Sequence, residues 1–129
     1  MKEEKNETYA FRLKPGEDLK IGISQFIGEK GIKAGWVAAC VGSLIKYSIR
    51  FANQQETSLG NGFFEIVHLT GTVSINGSHL HITISDNTGK TFGGHLMPGS
   101  IIYTTAELLS SQPININSPV SMMVPRLGM

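Results

Sequence analysis

Three of the four histidines in this 129-residue chain, His79, His81 and His95, fall close together in sequence. Neutral imidazole is a ligand for late first-row divalent metals, and three imidazoles converging on one point can hold zinc. His79 and His81 are two apart in Ser78 to Ser85, SHLHITIS, whose residues alternate in polarity. On a strand, a period of two puts both rings on one face, about 7 Å apart along the backbone. Asp86-Asn87-Thr88-Gly89 is a tight-turn signal, so the chain that follows returns antiparallel. A symmetric hairpin pairs position 95 with position 80. A slip or bulge at Gly93-Gly94 would bring His95 between the other two. Three protein ligands leave a coordination position open for water or an anion, as in catalytic sites. Ordinary polar histidines on a solvated strand face would show the same spacing, and spacing alone does not choose between the two.

Other residues carry weaker signals. His68, in Glu65-Ile66-Val67-His68-Leu69, reads as a packed or hydrogen-bonded histidine. Glu65 has a carboxylate that could act as general base or orient a ligand from outside the first ring of donors. A solvated or ion-paired glutamate fits equally. Asp86 is most simply a turn former. Cys40 lies in the apolar run Trp36 to Val41, and no cation near it in sequence would stabilise a thiolate, so it reads as a buried structural thiol. Trp36, Phe63 and Phe64 read as core aromatics rather than platforms for bases. The dinucleotide fingerprint, the phosphate-cradling loop and the serine-hydrolase elbow are all missing from the sequence.

The elements that must position these residues can be read from the same pattern. Tyr9 to Leu13 is an alternating strand, and Pro15-Gly16 turns the chain. Glu17 and Asp18 open a helix whose apolar residues Leu19, Ile23, Phe26 and Ile27 form one stripe, and Gly31 ends it. Ala34 to Val41 reads as a strand covered on both faces, broken by Gly42-Ser43, and Ile45 to Ala52 as a half-exposed strand. A polar loop spans 53–62. Strands follow at Phe63 to Leu69 and Gly71 to Ile75, with an Asn76-Gly77 hairpin turn before Ser78 to Ser85. Lys90 to Phe92 and Ile101 to Ala106 are the last strands, the first of them interrupted at Gly93-Gly94. The expected fold class is α+β: a mostly antiparallel, curled sheet with one principal helix packed on it. Residues 1–7 read as a flexible start, 8–111 as the domain, and 112–129 as a proline-containing tail along the same domain.

Composition bounds the function. The apolar fraction is 40%, the charged fraction 16% and the net charge +1, the mark of a globular domain without a large basic field. Duplex DNA binding draws most of its affinity from phosphate neutralisation. The basic residues here are scattered, and only Arg12, Arg50 and Arg126 are arginines. Tight DNA binding by a lone chain is therefore not expected, although an oligomer could assemble a basic patch. One cysteine suits a reducing compartment. With no apolar leader and no apolar run near the ~20 residues of a membrane span, the expectation is a cytoplasmic protein with no membrane partner.

Several motifs in order resemble the plant and prokaryote conserved (PPC) domain family: Tyr9 to Asp18, Gly42-Ser43-Leu44, Phe63-Phe64-Glu65-Ile66 with Leu69-Thr70-Gly71, His79-Leu80-His81, Gly93-Gly94-His95, and Tyr103 to Glu107. The likeness covers about residues 8–109. It implies a homotrimer, and a stand-alone domain of a kind described as a candidate DNA-binding protein. It also implies metal ligation by His79, His81 and His95, with zinc favoured over other divalent metals. Plant members carry a separate minor-groove element that this sequence lacks, and use the domain for self-association and protein binding. Two functional readings follow. One is a trimeric, metal-containing binding or regulatory module with DNA or protein partners. The other is a small zinc-dependent enzyme, with a small-molecule ligand at the open coordination position.

Overall fold

The computed structural model describes residues 5–114. Six strands and one helix follow in the order β1 (Asn6–Leu13), α1 (Leu19–Lys30), β2 (Gly35–Arg50), β3 (Ser58–Ser74), β4 (Gly77–Ser85), β5 (Thr91–Leu96) and β6 (Ile101–Pro113). The strands form one antiparallel sheet in the order β1-β6-β2-β3-β4-β5. At its far end β5 also pairs with β2, through Ile49↔Leu96 and Arg50↔His95. Strands β2, β3, β4 and β5 are thereby linked in a hydrogen-bonded circuit. None of the described helices is long and apolar enough to cross a membrane.

The helix stripe is confirmed. Leu19, Ile23 and Ile27 are buried in the core, and Phe26 stacks on Phe11 with centroids 3.8 Å apart. The first helical residue is Leu19, not Glu17 or Asp18. Asp18 is instead the N-cap, accepting from the Ile21 amide at 3.0 Å, which satisfies a donor left free by the helix start. Its other oxygen accepts from the Gly99 amide at 2.6 Å, tying the helix to the turn before β6. Gly31 closes the helix in a left-handed conformation, φ 64°.

Where the sequence suggests breaks, the strands run on. Gly42-Ser43 lies inside β2, because irregularities in register against β6 and β3 absorb the local misfit without ending the pairing. The segments expected at Phe63 to Leu69 and Gly71 to Ile75 are one strand, β3, which starts already at Ser58 because Ser58 to Asn61 find backbone partners along Ile49 to Lys46. Gly93-Gly94-His95 does not interrupt β5; all three residues stay in register with β4. The hairpin turn falls at Ile75-Asn76, one residue before the Asn76-Gly77 signal. There the Ser74 hydroxyl accepts from the Asn76 amide and the Ile75 amide donates to the Ile32 carbonyl, which holds the turn in that position.

β1 begins at Asn6 and β6 ends at Pro113, with those two residues paired. The expected flexible start at 1–7 and tail at 112–129 thus each contribute residues to the sheet, and the rest of both, 1–4 and 115–129, lies outside the described residues.

Candidate metal centre

In β4, Leu80, Ile82 and Ile84 point into the core, so His79, His81 and Thr83 point outward. Period-two alternation does this without further help. β5 brings the third imidazole. His95 sits directly opposite His81, one step from the symmetric 95–80 pairing, because the connecting loop holds five residues, 86–90, between the Ser85↔Thr91 pair. Asp86 anchors that loop: one carboxylate oxygen accepts from the amides of Thr88 and Lys90 and from the Thr88 hydroxyl. These bonds, led by the hydroxyl, hold the Asp86 carboxyl below its usual pKa. Asp86 is accordingly the turn former that its position suggests.

Odd loop length, rather than a bulge, is what places His81 and His95 on the same face. The ring centroids stand 5.0 Å (His79–His81), 5.1 Å (His79–His95) and 4.6 Å (His81–His95) apart. One nitrogen from each ring can be chosen so that all three lie within 4.8 Å of one another. Nitrogens sharing a tetrahedral zinc at about 2.0–2.1 Å stand roughly 3.4 Å apart. Small side-chain rotations would close the difference, and the donor set is chemically right for zinc or a neighbouring divalent metal. His79 and His81 are exposed and His95 is half-buried, so the group opens to solvent on one side.

The glycines before His95 have a steric reason. A Cβ on Gly93 would collide with the Ile82 carbonyl of β4, and one on Gly94 would come within 2.5 Å of the Arg50 carbonyl of β2. β5 is held so close between its two neighbours that side chains there have no room.

Burial is the largest influence lowering the His95 pKa from 6.5, followed by the charges of His81, Arg50, His79 and Lys20. A depressed pKa keeps the imidazole neutral, the form that binds metal. Two of these neighbours, Arg50 and Lys20, were missed in the sequence. Arg50 ends β2 directly across from His95, and the Lys20 ammonium donates to the Leu96 carbonyl at 3.3 Å. Both are half-buried. The exposed phase of the alternating run through Arg50 was the only available hint, since the β2–β5 pairing has no local sequence signal.

The remaining candidates lie elsewhere. Glu65 pairs with Ser85, four residues along β4 from His81, which corresponds to about 13 Å of strand. His68 pairs with Thr83 after a register irregularity and is exposed, not packed. Cys40 is buried, and desolvation raises its pKa to about 12, so it is a protonated structural thiol. Phe64 is in the core, whereas Phe63 is exposed and its ring lies 5.1 Å from that of Tyr103.

A model of the Plants and Prokaryotes Conserved (PCC) domain matches residues 1–111. Over 101 residues the chain is 44% identical to the bifunctional protein GlmU of a Synechococcus strain, covering 78% of this chain. The chain spans only 16% of that relative's length. Among solved structures, a hypothetical protein from Salmonella enterica superposes with a TM-score of 0.84 at 37% identity, covering 87% of this chain and 81% of the other. A metal-containing protein from Archaeoglobus fulgidus gives a TM-score of 0.69 at 27% identity, covering 88% and 86%. The chain belongs to the Plants and Prokaryotes Conserved domain family.

Proposed function

We propose that this member of the Plants and Prokaryotes Conserved domain family is a metal-containing binding module. Its divalent ion, zinc in the first instance, would be held by His79, His81 and His95. The observation that carries the reading is the set of three imidazole nitrogens within 4.8 Å on one solvent-facing side of β4 and β5. The metal-containing relative from Archaeoglobus fulgidus supports it.

The module would act as a homotrimer in a cytoplasmic setting. Support for self-association comes from an apolar stripe on the outward side of β2, β3 and β6. Val41 and Val67 are 68% and 55% exposed, each one step from the Gly42↔Ile66 pair, and the exposed rings of Phe63 and Tyr103 meet at a tilt of 56° with centroids 5.1 Å apart. Ala39, Val41 and Leu109 also line a shallow groove of about 490 Å³. Exposed large apolar side chains grouped in this way are a feature of contact sites. Direct grip on duplex DNA gains no support from charge, since the net value is +1 and the Arg12 guanidinium is engaged by Glu107 at 3.0 Å.

The alternative is a small zinc-dependent enzyme. It is favoured by the number of ligands, because three leave a position for water or substrate. Glu65 lies too far along the strand to serve it as a base within one chain.

Zinc titration into metal-free protein, followed by NMR of the histidine rings, tests the proposal. One equivalent should shift the signals of His79, His81 and His95 and leave His68 unmoved. Movement of none of the three, or of His68 alone, would reject it.

A further inference from the structure

Beside the three histidines stand two cations with no assigned work. Arg50 is the cross-strand partner of His95 at the end of β2, so the two side chains leave the sheet on the same side, with Cβ atoms about 5 Å apart. Lys20, from the first turn of α1, reaches the Leu96 carbonyl with one of its three donor positions, which leaves two for another acceptor. Among the described residues neither makes a salt bridge; the one ion pair is Arg12–Glu107, far along the sheet. Asp18 makes no ion pair with either of them; its two oxygens accept from the amides of Ile21 and Gly99.

Two half-buried like charges close enough to feel each other are unfavourable unless something negative joins them. Burial and the Arg50 charge indeed depress the Lys20 pKa, and Asp18 offsets this only in part. Adding a divalent ion to three neutral imidazoles makes the imbalance larger, since none of the ligands brings a negative charge.

We infer that the open coordination position takes a small oxyanion, a carboxylate or phosphate group, held between the metal and the side chains of Arg50 and Lys20. The inference rests on the metal reading above and adds the class of ligand. Arg50 supplies the planar fork that matches two oxygens of such a group, and Lys20 supplies a point charge. A metal held by the three imidazoles would supply the remaining attraction for the anion. The same arrangement disfavours neutral and cationic ligands, which would leave both charges unmatched.

Cobalt(II) provides the test, because its visible spectrum reports ligands at the metal. Metal-free protein is loaded with cobalt, and inorganic phosphate, acetate and neutral acetamide are titrated in turn at constant ionic strength. Wild-type protein should show a saturable spectral change with phosphate, acetate or both, and none with acetamide. Phosphate alone would assign a phosphorylated ligand, and acetate alone a carboxylate. In Arg50→Gln, cobalt should still bind stoichiometrically while anion affinity falls by roughly tenfold or more, about 1.4 kcal/mol per factor of ten. Lys20→Gln, on the helix and outside the sheet, should weaken the anion in the same direction and guards against a folding defect in the first variant. Cobalt bound normally but indifferent to both anions, equal response to acetamide, or unchanged anion affinity in both variants would overturn the inference and leave the metal site standing. Failure of wild-type protein to bind cobalt would overturn both.

Discussion

The outward side of the sheet has two different regions. Over β4 and β5 it carries His79, His81 and His95, flanked by Arg50 and Lys20. Over β2, β3 and β6 it carries Val41, Val67, Phe63 and Tyr103, all exposed and apolar. Both regions rest on the same buried face, made of residues such as Leu44, Leu69, Ile82 and Ile102. Alternation commits every second residue of a strand to the core and leaves the others free. In this protein the free half is divided between a polar cup suited to an ion and an apolar stripe suited to another protein surface. On the proposed reading, metal binding and self-association could therefore be changed separately without altering the core.

The largest effect should come from His81→Ala. The His81 ring stands 5.0 and 4.6 Å from the other two and is exposed, so its loss should remove stoichiometric zinc while the fold persists. The drop in affinity should exceed the about 10–100-fold typical of losing an outer partner of a metal ligand. Elemental analysis beside circular dichroism checks both halves. Tightly bound zinc in the variant would break the assignment of the polar region.

Gly94→Ala sharpens the comparison by striking the seam that supports only one region. The new methyl would meet the Arg50 carbonyl at 2.5 Å and the Ile49 side chain at 3.0 Å, forcing β5 from β2. A cost of about 1–3 kcal/mol is expected, as for overpacking elsewhere. Thermal melting measures it, and an unchanged midpoint would mean that the seam is not tight in solution.

Val67→Glu addresses the other region. It should turn an associated species into a monomer by native mass at micromolar concentration. Zinc stoichiometry should stay unchanged, and intrinsic fold stability should move by no more than about 0.5 kcal/mol, because the position is exposed. Loss of zinc together with assembly would show that the two regions are not independent. A wild-type monomer would remove the homotrimer from the account.

The smallest effect concerns pH. His95 has its folded-state pKa below 6.5. Above that value both folded and unfolded chains carry it neutral, and it contributes nothing. As pH falls through 6.5 the unfolded chain takes up the proton first, so metal-free protein should lose stability until the lower folded pKa is passed. The Asp86 carboxyl, ordinarily near 3.8 and lower in the fold, titrates below this window. Urea midpoints between pH 7.5 and 5.5 should decline, and a flat profile would contradict the sign.

The three histidines of the polar region were legible in the sequence, whereas the cations beside them and the apolar region were not, for a physical reason. His79, His81 and His95 lie within one hairpin, so local rules of alternation and turning suffice to bring them together. Only loop parity was misread, by one residue. The fold class and the α1 stripe were legible for the same reason, as each follows from periodicity within a segment. Val41, Val67 and Tyr103 come from three strands whose adjacency is set by long-range pairing, and Arg50 meets His95 only where β5 returns to β2. Continuous β2 and β3 were hidden because glycines that look like breaks lie within paired strands.

The central claim is that His79, His81 and His95 hold one metal ion. Metal content of the purified protein by elemental analysis, taken with its native mass, tests it most directly. The account predicts one divalent ion per chain, zinc foremost, and its loss when the histidines are replaced. A protein that is metal-free as purified and remains so after incubation with zinc would contradict it.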